Sequence, residues 1–239
     1  MDMAVHKGGR PRAVFFATPA YDSMVSTEHH GSIVNACKIL DDGGIGSQVA
    51  TLNGCCFVDR ARNQLVESFL KSTCTDLWFV DADIGFDPLV IPRFMESPHE
   101  ILVGIPPKRK PELEFHIGAA TNAFSGGAFE CKEAPTAFMR IRRSVFEKLD
   151  VGHPHLKTTY KGDDPTPYFQ CGIFTGDFVG EDIFFCRLWS ALGHSVWIDA
   201  NVDFIHRGSH PFKGNCLTHL VDTQQVVLKP QEECYARSI

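Results

Sequence analysis

No stretch of the 239 residues approaches the ~20 consecutive apolar residues that a membrane-spanning helix requires. The amino-terminal run "MDMAVHKGGRPR" is basic but has no apolar centre of the kind a secretory signal carries. No C-x-x-C pair occurs among the nine cysteines, and Cys55 and Cys56 are adjacent, so they cannot easily bridge each other. That speaks against a disulfide framework or a zinc site and suits small apolar thiols in a reduced, cytoplasmic setting. Positive charge is short as well. The chain has 23 Lys and Arg against 29 Asp and Glu, a net charge of −6, which argues against a nucleic-acid partner. The short basic runs at 108–110 and 140–143 do not reverse that balance; they read as a solvated loop and a helix start. Internal repeats and low-complexity tracts are missing too.

What is present is 44% hydrophobic and 22% charged, enough for one sizeable core with at most a small subdomain. "AVFFATPAY" (13–21) reads as a strand ending at Thr-Pro. "GSIVNACKIL" (31–40) sets Ile33, Val34, Cys37 and Leu40 at helical spacing, and "DDGG" stops it. A short strand, "SQVATL" (47–52), precedes the clearest helix, 59–72. Asp59 is its expected N-cap, and Ala61, Leu65, Val66, Phe69 and Leu70 form its apolar face. "DLWFVDAD" (76–83) has the continuous apolar middle of a buried parallel strand. "EILVGIPP" (100–107) adds another strand. Residues 106–135 read as a long irregular connection, and 136–149 as a strand running into a short helix. A helix spans 181–193, with Gly193 placed to end it. The segments 195–201 and 202–208 are short and extended. Alternating strands and helices predict a doubly wound α/β sheet.

Three constellations carry chemistry. At the end of the 76–83 strand, strand alternation points Asp81 and Asp83 to one side, in the crevice where open α/β sheets bind ligands. Two carboxylates aimed at one point suit a hard dication, Mn²⁺ or Mg²⁺, that leaves coordination sites for phosphate oxygens; a capped turn is the plainer alternative. In "GEDIFF", Glu181 and Asp182 open a helix whose positive end favours ionised carboxylates. Glu181 can cap while Asp182 faces the cleft as a base. In "FIHRGSHPFKGN", His206 offers an imidazole to complete a metal shell, and Lys213 can meet a phosphate. A fourth group follows the first strand: Thr18, Pro19, Tyr21 and Asp22, with Arg60, Arg62 and Asn63 on the next long helix. An arginine and an aromatic ring beside a cleft suit a nucleobase and its diphosphate.

The order of these segments, from the early "TP" through "ARNQLVESFL", "LWFVDADIGFDP", "FMRIRRSVFEKL" and "GEDIFFCRLWSALG" to "HRGSHPFKGN", resembles small GT-A glycosyltransferases. The likeness is to family-2-like members, including those of large DNA viruses and phages. It spans residues 13 to 215, with no counterpart for 107–135. The resemblance implies a Rossmann-like, mainly parallel mixed sheet flanked by helices in one domain. That domain covers 13–229, with a nucleotide-binding half to about 105 and an acceptor-side half beyond it, between an extension (1–12) and a tail (230–239). It further implies a metal-dependent transfer of sugar from a nucleotide-diphosphate donor, most commonly a UDP-sugar, to a glycan or other hydroxyl acceptor, with inversion. Asp81, Asp83 and His206 then hold the Mn²⁺ or Mg²⁺. Asp182 is the base, and Thr18, Pro19, Tyr21, Asp22, Arg60, Asn63, Asp81 and Lys213 hold the donor. Other classes fit less of the chain. A D-x-D phosphatase wants Thr or Val two residues after the second Asp, where Gly85 stands. A nucleotidyltransferase wants a glycine-rich loop after the first strand, whereas "KGGRPR" precedes it. A non-catalytic carbohydrate- or metal-binding module is the remaining alternative.

Overall fold

The computed structural model describes residues 11–117, 120–125, 127–159, 164–208 and 210–226. Strand β1 (Ala13–Ala20) leads through helix α1 (Thr27–Asp42) to β2 (Gly46–Asn53), and α2 (Val58–Lys71) leads on to β3 (Asp76–Val80). β2 and β3 flank β1, both parallel to it. Right-handed crossovers to opposite sides of one strand put their helices on opposite faces of the sheet. Accordingly Leu65, Val66 and Phe69 of α2 pack with Phe15, Leu77 and Phe79, while Ile33, Ala36 and Leu40 of α1 pack with Val14, Phe16 and Trp78. Successive strand residues face opposite ways. A strand covered on both faces must therefore be apolar at every step, and Leu77–Val80 is.

The chain continues through β4 (Ile84–Phe86), α3 (Val90–Glu96), β5 (Ile101–Gly104), β6 (Ala120–Ser125), β7 (Ala128–Cys131), β8 (Phe138–Arg142), α4 (Arg143–Gly152) and α5 (His155–Thr159). It closes with β9 (Gly172–Phe174), β10 (Asp177–Val179), α6 (Glu181–Ala191), β11 (Val196–Asp199), β12 (Asp203–Arg207), β13 (Pro211–Asn215) and α7 (Cys216–Asp222). The central sheet has the order β2-β1-β3-β8-β5-β11-β7-β6. Strands β2, β1, β3, β5 and β11 run one way, and β8 and β7 run against them. This is a mixed α/β, Rossmann-like architecture, as expected. A second, antiparallel sheet, β13-β12-β4, takes up the chain just after β3. Phe138 joins the two sheets. Its ring lies 5.5 Å from Trp78, 4.8 Å from Phe86 and 5.1 Å from Phe204, the last two belonging to the small sheet. The approach is close enough that a Cβ on Gly104 would stand 2.6 Å from Phe204.

Several local expectations need correction. The region 106–135 contains the β6–β7 hairpin at the sheet edge, where it pairs β7 with β11. Helix α1 begins at Thr27, four residues before the expected start, because the Ser26 side chain accepts from His29 N–H and caps it. Phe57, not Asp59, is the N-cap of α2; Asp59 accepts from Arg60 N–H at 2.7 Å instead. The tail 230–239 and most of the extension 1–12 lie outside the described residues.

Candidate active site

Strand β3 ends at Val80, and the next three residues turn back into β4, with Ile84 N–H donating to Asp81 O at 3.0 Å. Asp81 and Asp83 therefore sit on a turn, and strand alternation is not what aims them. The backbone does so by being held from behind. Ala82 O accepts from Ser26 N–H at 2.8 Å, Asp83 O accepts from Arg207 N–H at 2.8 Å, and Asp81 N–H donates to Ala137 O at 3.0 Å. The His29 ring adds a fourth tie, its Nδ1 3.0 Å from Asp81 O. Burial keeps His29 neutral by lowering its pKa, against the carbonyls and carboxylates that would raise it. Its one ring proton then lies on Nδ1, facing Asp81 O, and Nε2 accepts from Thr18 Oγ, 3.2 Å away. With the carbonyls engaged, both aspartate side chains line a cleft of about 600 Å³ shared with Pro19, Tyr21, Asp22 and Arg62.

The two carboxylates are neutralised differently. Asp81 Oδ1 lies 3.1 Å from Nη2 of Arg62, whose Nε is 3.3 Å from Oε1 of Glu181. The Arg62 side chain is only 4% exposed and its guanidinium stands 5.2 Å from the Phe79 ring centre. Burial alone would lower its pKa, but the two carboxylates outweigh that and raise it. Asp83 Oδ2 instead meets Nη1 of Arg109 at 3.0 Å and Nε2 of His206 at 3.3 Å. His206 Nδ1 lies 2.7 Å from Pro107 O. Both its nitrogens thus face oxygen acceptors, so its pKa is raised although burial acts the other way. The pKa of Asp83 is correspondingly lowered, burial again opposing and His206 and Arg109 prevailing.

At the acidic start of α6 the structure departs from both expected roles: Glu181 does not cap the helix, and Asp182 is not among the residues that line the cleft. Gly180 is the N-cap of α6, and no side chain caps it. Glu181 turns to Arg62, while Asp182 Oδ1 accepts from Ile183 N–H at 2.8 Å. A Cβ at Gly180 would stand 3.2 Å from that oxygen. Helix-end placement was expected to favour ionised Asp182. Its pKa is instead raised, first by burial and then by the Glu181 charge, with the Ile183 N–H opposing.

Of the expected donor-binding residues, Pro19, Tyr21, Asp22 and Asp81 line the cleft. Thr18 does not; it is fully buried behind it, against His29. Arg60 points to solvent and pairs with Asp164 at 3.1 Å. Asn63 is buried and clasps the backbone of Phe169 through two hydrogen bonds, of 2.7 and 2.9 Å. Lys213 lines a different cavity, about 680 Å³, between α1 and the small sheet. Of Arg60, Arg62 and Asn63, Arg62 is the one that reaches the cleft, beside Val58 and Ala61 of the same helix, and its place one turn before Leu65 and Val66 on the buried side of α2 was a signal in the spacing. Arg109, read as part of a solvated loop, lines the cleft as well. Of the three expected metal ligands, Asp83 and His206 meet and Asp81 is turned to Arg62. Among the described residues, no three His, Cys, Asp or Glu side chains form a ready metal-binding group. No helix among them is long and apolar enough to cross a membrane.

No family profile and no curated protein match the chain. Its fold is similar to that of A197 from STIV, at 16% identity and a TM-score of 0.51, over 82% of this chain and 86% of that one. That likeness shows a shared fold. Two others are more distant. A glycosyltransferase involved in the glycosylation of the major capsid of PBCV-1 has 10% identity and a TM-score of 0.35, over 60% and 68% of the two chains. The inositol-1-phosphate CTP transferase from T. maritima has 12% identity and a TM-score of 0.38, over 83% and 90%.

Proposed function

We propose that the chain is a glycosyltransferase that takes a sugar from a nucleotide-diphosphate donor, with a divalent cation, and passes it to an acceptor hydroxyl with inversion. The observation that carries this reading is the meeting of Asp83 with His206 at 3.3 Å on a turn whose other aspartate is tied through Arg62 to the start of α6. The D-x-D turn, the late histidine and the acidic helix start are the three segments on which the resemblance rests, and ion pairs link them: Asp83 to His206, and Asp81 through Arg62 to Glu181.

The donor set suits a borderline-hard dication. One carboxylate oxygen and one imidazole nitrogen stand together, and the imidazole is oriented by a backbone carbonyl at its other nitrogen, the usual support of a ligating histidine. In the structure that Nε2 points at Asp83, so without a cation it carries a proton there. Asp83 and His206 would hold the ion. Asp81, already matched by a buried arginine, is the fixed wall beside it. Bound there, a dication would supply Lewis-acid support for the leaving diphosphate. Pro19, Tyr21 and Asp22 border the part of the cleft that suits the nucleoside. The resemblance assigns Asp182 the proton of the attacking hydroxyl, and burial and the Glu181 charge, which raise its pKa, make its carboxylate a stronger base than an ordinary aspartate.

A screen of nucleotide-sugars for release of nucleoside diphosphate, with and without Mn²⁺, tests the reading. Release that needs Mn²⁺ and is lost in Asp83→Ala is the expected result. Nucleotide-sugar binding with no release under any acceptor would leave a binding module instead.

A further inference from the structure

The segment 107–115 closes on itself beside the cleft. Pro107 and Phe115 form an isolated antiparallel bridge, and Lys108 N–H donates to Glu114 O at 2.7 Å. Glu114 draws in two of the three consecutive cations, Lys108 at 2.5 Å and Lys110 at 2.9 Å. Arg109 is the one turned outward, and it reaches Asp83. Its stem lies across the backbone of Gly208, where a Cβ would come within 3.2 Å of its Cδ. The same short loop supplies the Pro107 carbonyl that orients His206. One loop therefore delivers both the support for the proposed ion's nitrogen ligand and a cation placed on its oxygen ligand.

We infer that Arg109 is a stand-in for the divalent ion, and that it exchanges Asp83 for the donor's diphosphate when the ion and donor bind. This rests on the reading of the cleft given above. The charges require something of the kind. A nucleoside diphosphate ester brings about two negative charges and the free diphosphate leaving group about three, so a dication alone leaves the departing group with surplus negative charge. Arg109, displaced from Asp83 by the ion, is a planar donor of matching shape at the mouth of the same cleft. The exchange costs little, because its side chain is 55% exposed and an exposed ion pair is weak. Arg62 cannot play this part, being locked between two carboxylates at 4% exposure.

The test is a pair of binding measurements on Arg109→Ala against the unaltered chain: Mn²⁺ alone, followed by the electron paramagnetic resonance of the free ion, and UDP at saturating Mn²⁺, by calorimetry. The two effects should have opposite signs. Mn²⁺ alone should bind the variant about two- to fivefold more tightly, the range one exposed ion pair commands. UDP should bind it roughly tenfold or more weakly, the cost of one charge-assisted phosphate contact. Arg109→Lys should recover part of the UDP affinity. If both ligands bind the unaltered chain but the substitution leaves either affinity unchanged, or weakens both together, the exchange is wrong and the cleft reading stands. If neither protein takes up Mn²⁺ or UDP, the cleft reading itself falls.

Discussion

Two aspartate–arginine pairs stand at one turn, of almost the same length, 3.1 Å for Asp81–Arg62 and 3.0 Å for Asp83–Arg109. The first arginine is 4% exposed and the second 55%. Length does not rank them; solvent does. A buried guanidinium left without its carboxylates, or the reverse, keeps a charge in a poor dielectric, whereas an exposed one is taken over by water. The same turn thus holds a permanent neutraliser on one side and an exchangeable one on the other. The proposed exchange of a doubly charged ion at Asp83 needs that asymmetry.

Three experiments would sharpen or break the comparison. The largest effect belongs to the buried side, where Arg62 leads through Glu181 to Asp182. Asp182→Asn should lower turnover by about 10²–10⁴-fold, the usual contribution of a positioned base, while donor affinity measured by calorimetry stays within a few-fold. Unchanged turnover would remove Asp182 from the mechanism. Next in size is stability. Arg62→Ala should cost about 3 kcal/mol in urea unfolding, because Asp81 and Glu181 lose their shared partner, and Arg109→Ala should cost less than ~1 kcal/mol. Equal losses would refute the ranking by burial. The smallest effect is on pH. If Asp182 is the proposed base it works ionised, and its pKa is raised by burial and by Glu181, so activity should fall on acidification at a higher pH than an ordinary aspartate would impose. Glu181→Gln removes the neighbouring negative charge and leaves the positive field of Arg62 less opposed. Both changes lower the Asp182 pKa, and the acid limb of kcat should move to lower pH. A limb that stays in place would mean that another group sets it.

Much of the fold was legible because burial on two faces forces an unmistakable pattern. Leu77–Val80 is continuously apolar for that reason, and Leu65, Val66 and Phe69 repeat at the helical period because α2 covers the sheet on one side. The β6–β7 hairpin was not legible in the 106–135 region, where short strands among Gly, Ala and Pro carry too few apolar alternations to stand out. Its length without structure was itself the warning, since compact domains seldom tolerate such a connection. On the helix after β2, three polar residues close in sequence meet three environments. Arg60 meets solvent, Arg62 a carboxylate pair, and Asn63 the backbone of Phe169. Successive helical residues are about 100° apart, so spacing placed all three near the cleft but could not say which one faced it. Lys213 failed in the same way, since alternation along β13 decides its face and the partner strand decides which cavity that face borders.

From the sequence alone came the main strands and helices of the first half and the helix at 181–193, the apolar faces that bury them, and the local crowding of acid at the end of β3. Those follow from periodicity and residue type, which are properties of neighbours in the chain. Which cation answers each carboxylate was decided only in three dimensions. Arg62, Arg109 and His206 come from elements far apart in sequence, and the burial that makes one pair fixed and the other exchangeable exists only once the sheet has closed over α2 and left the 107–115 loop in water.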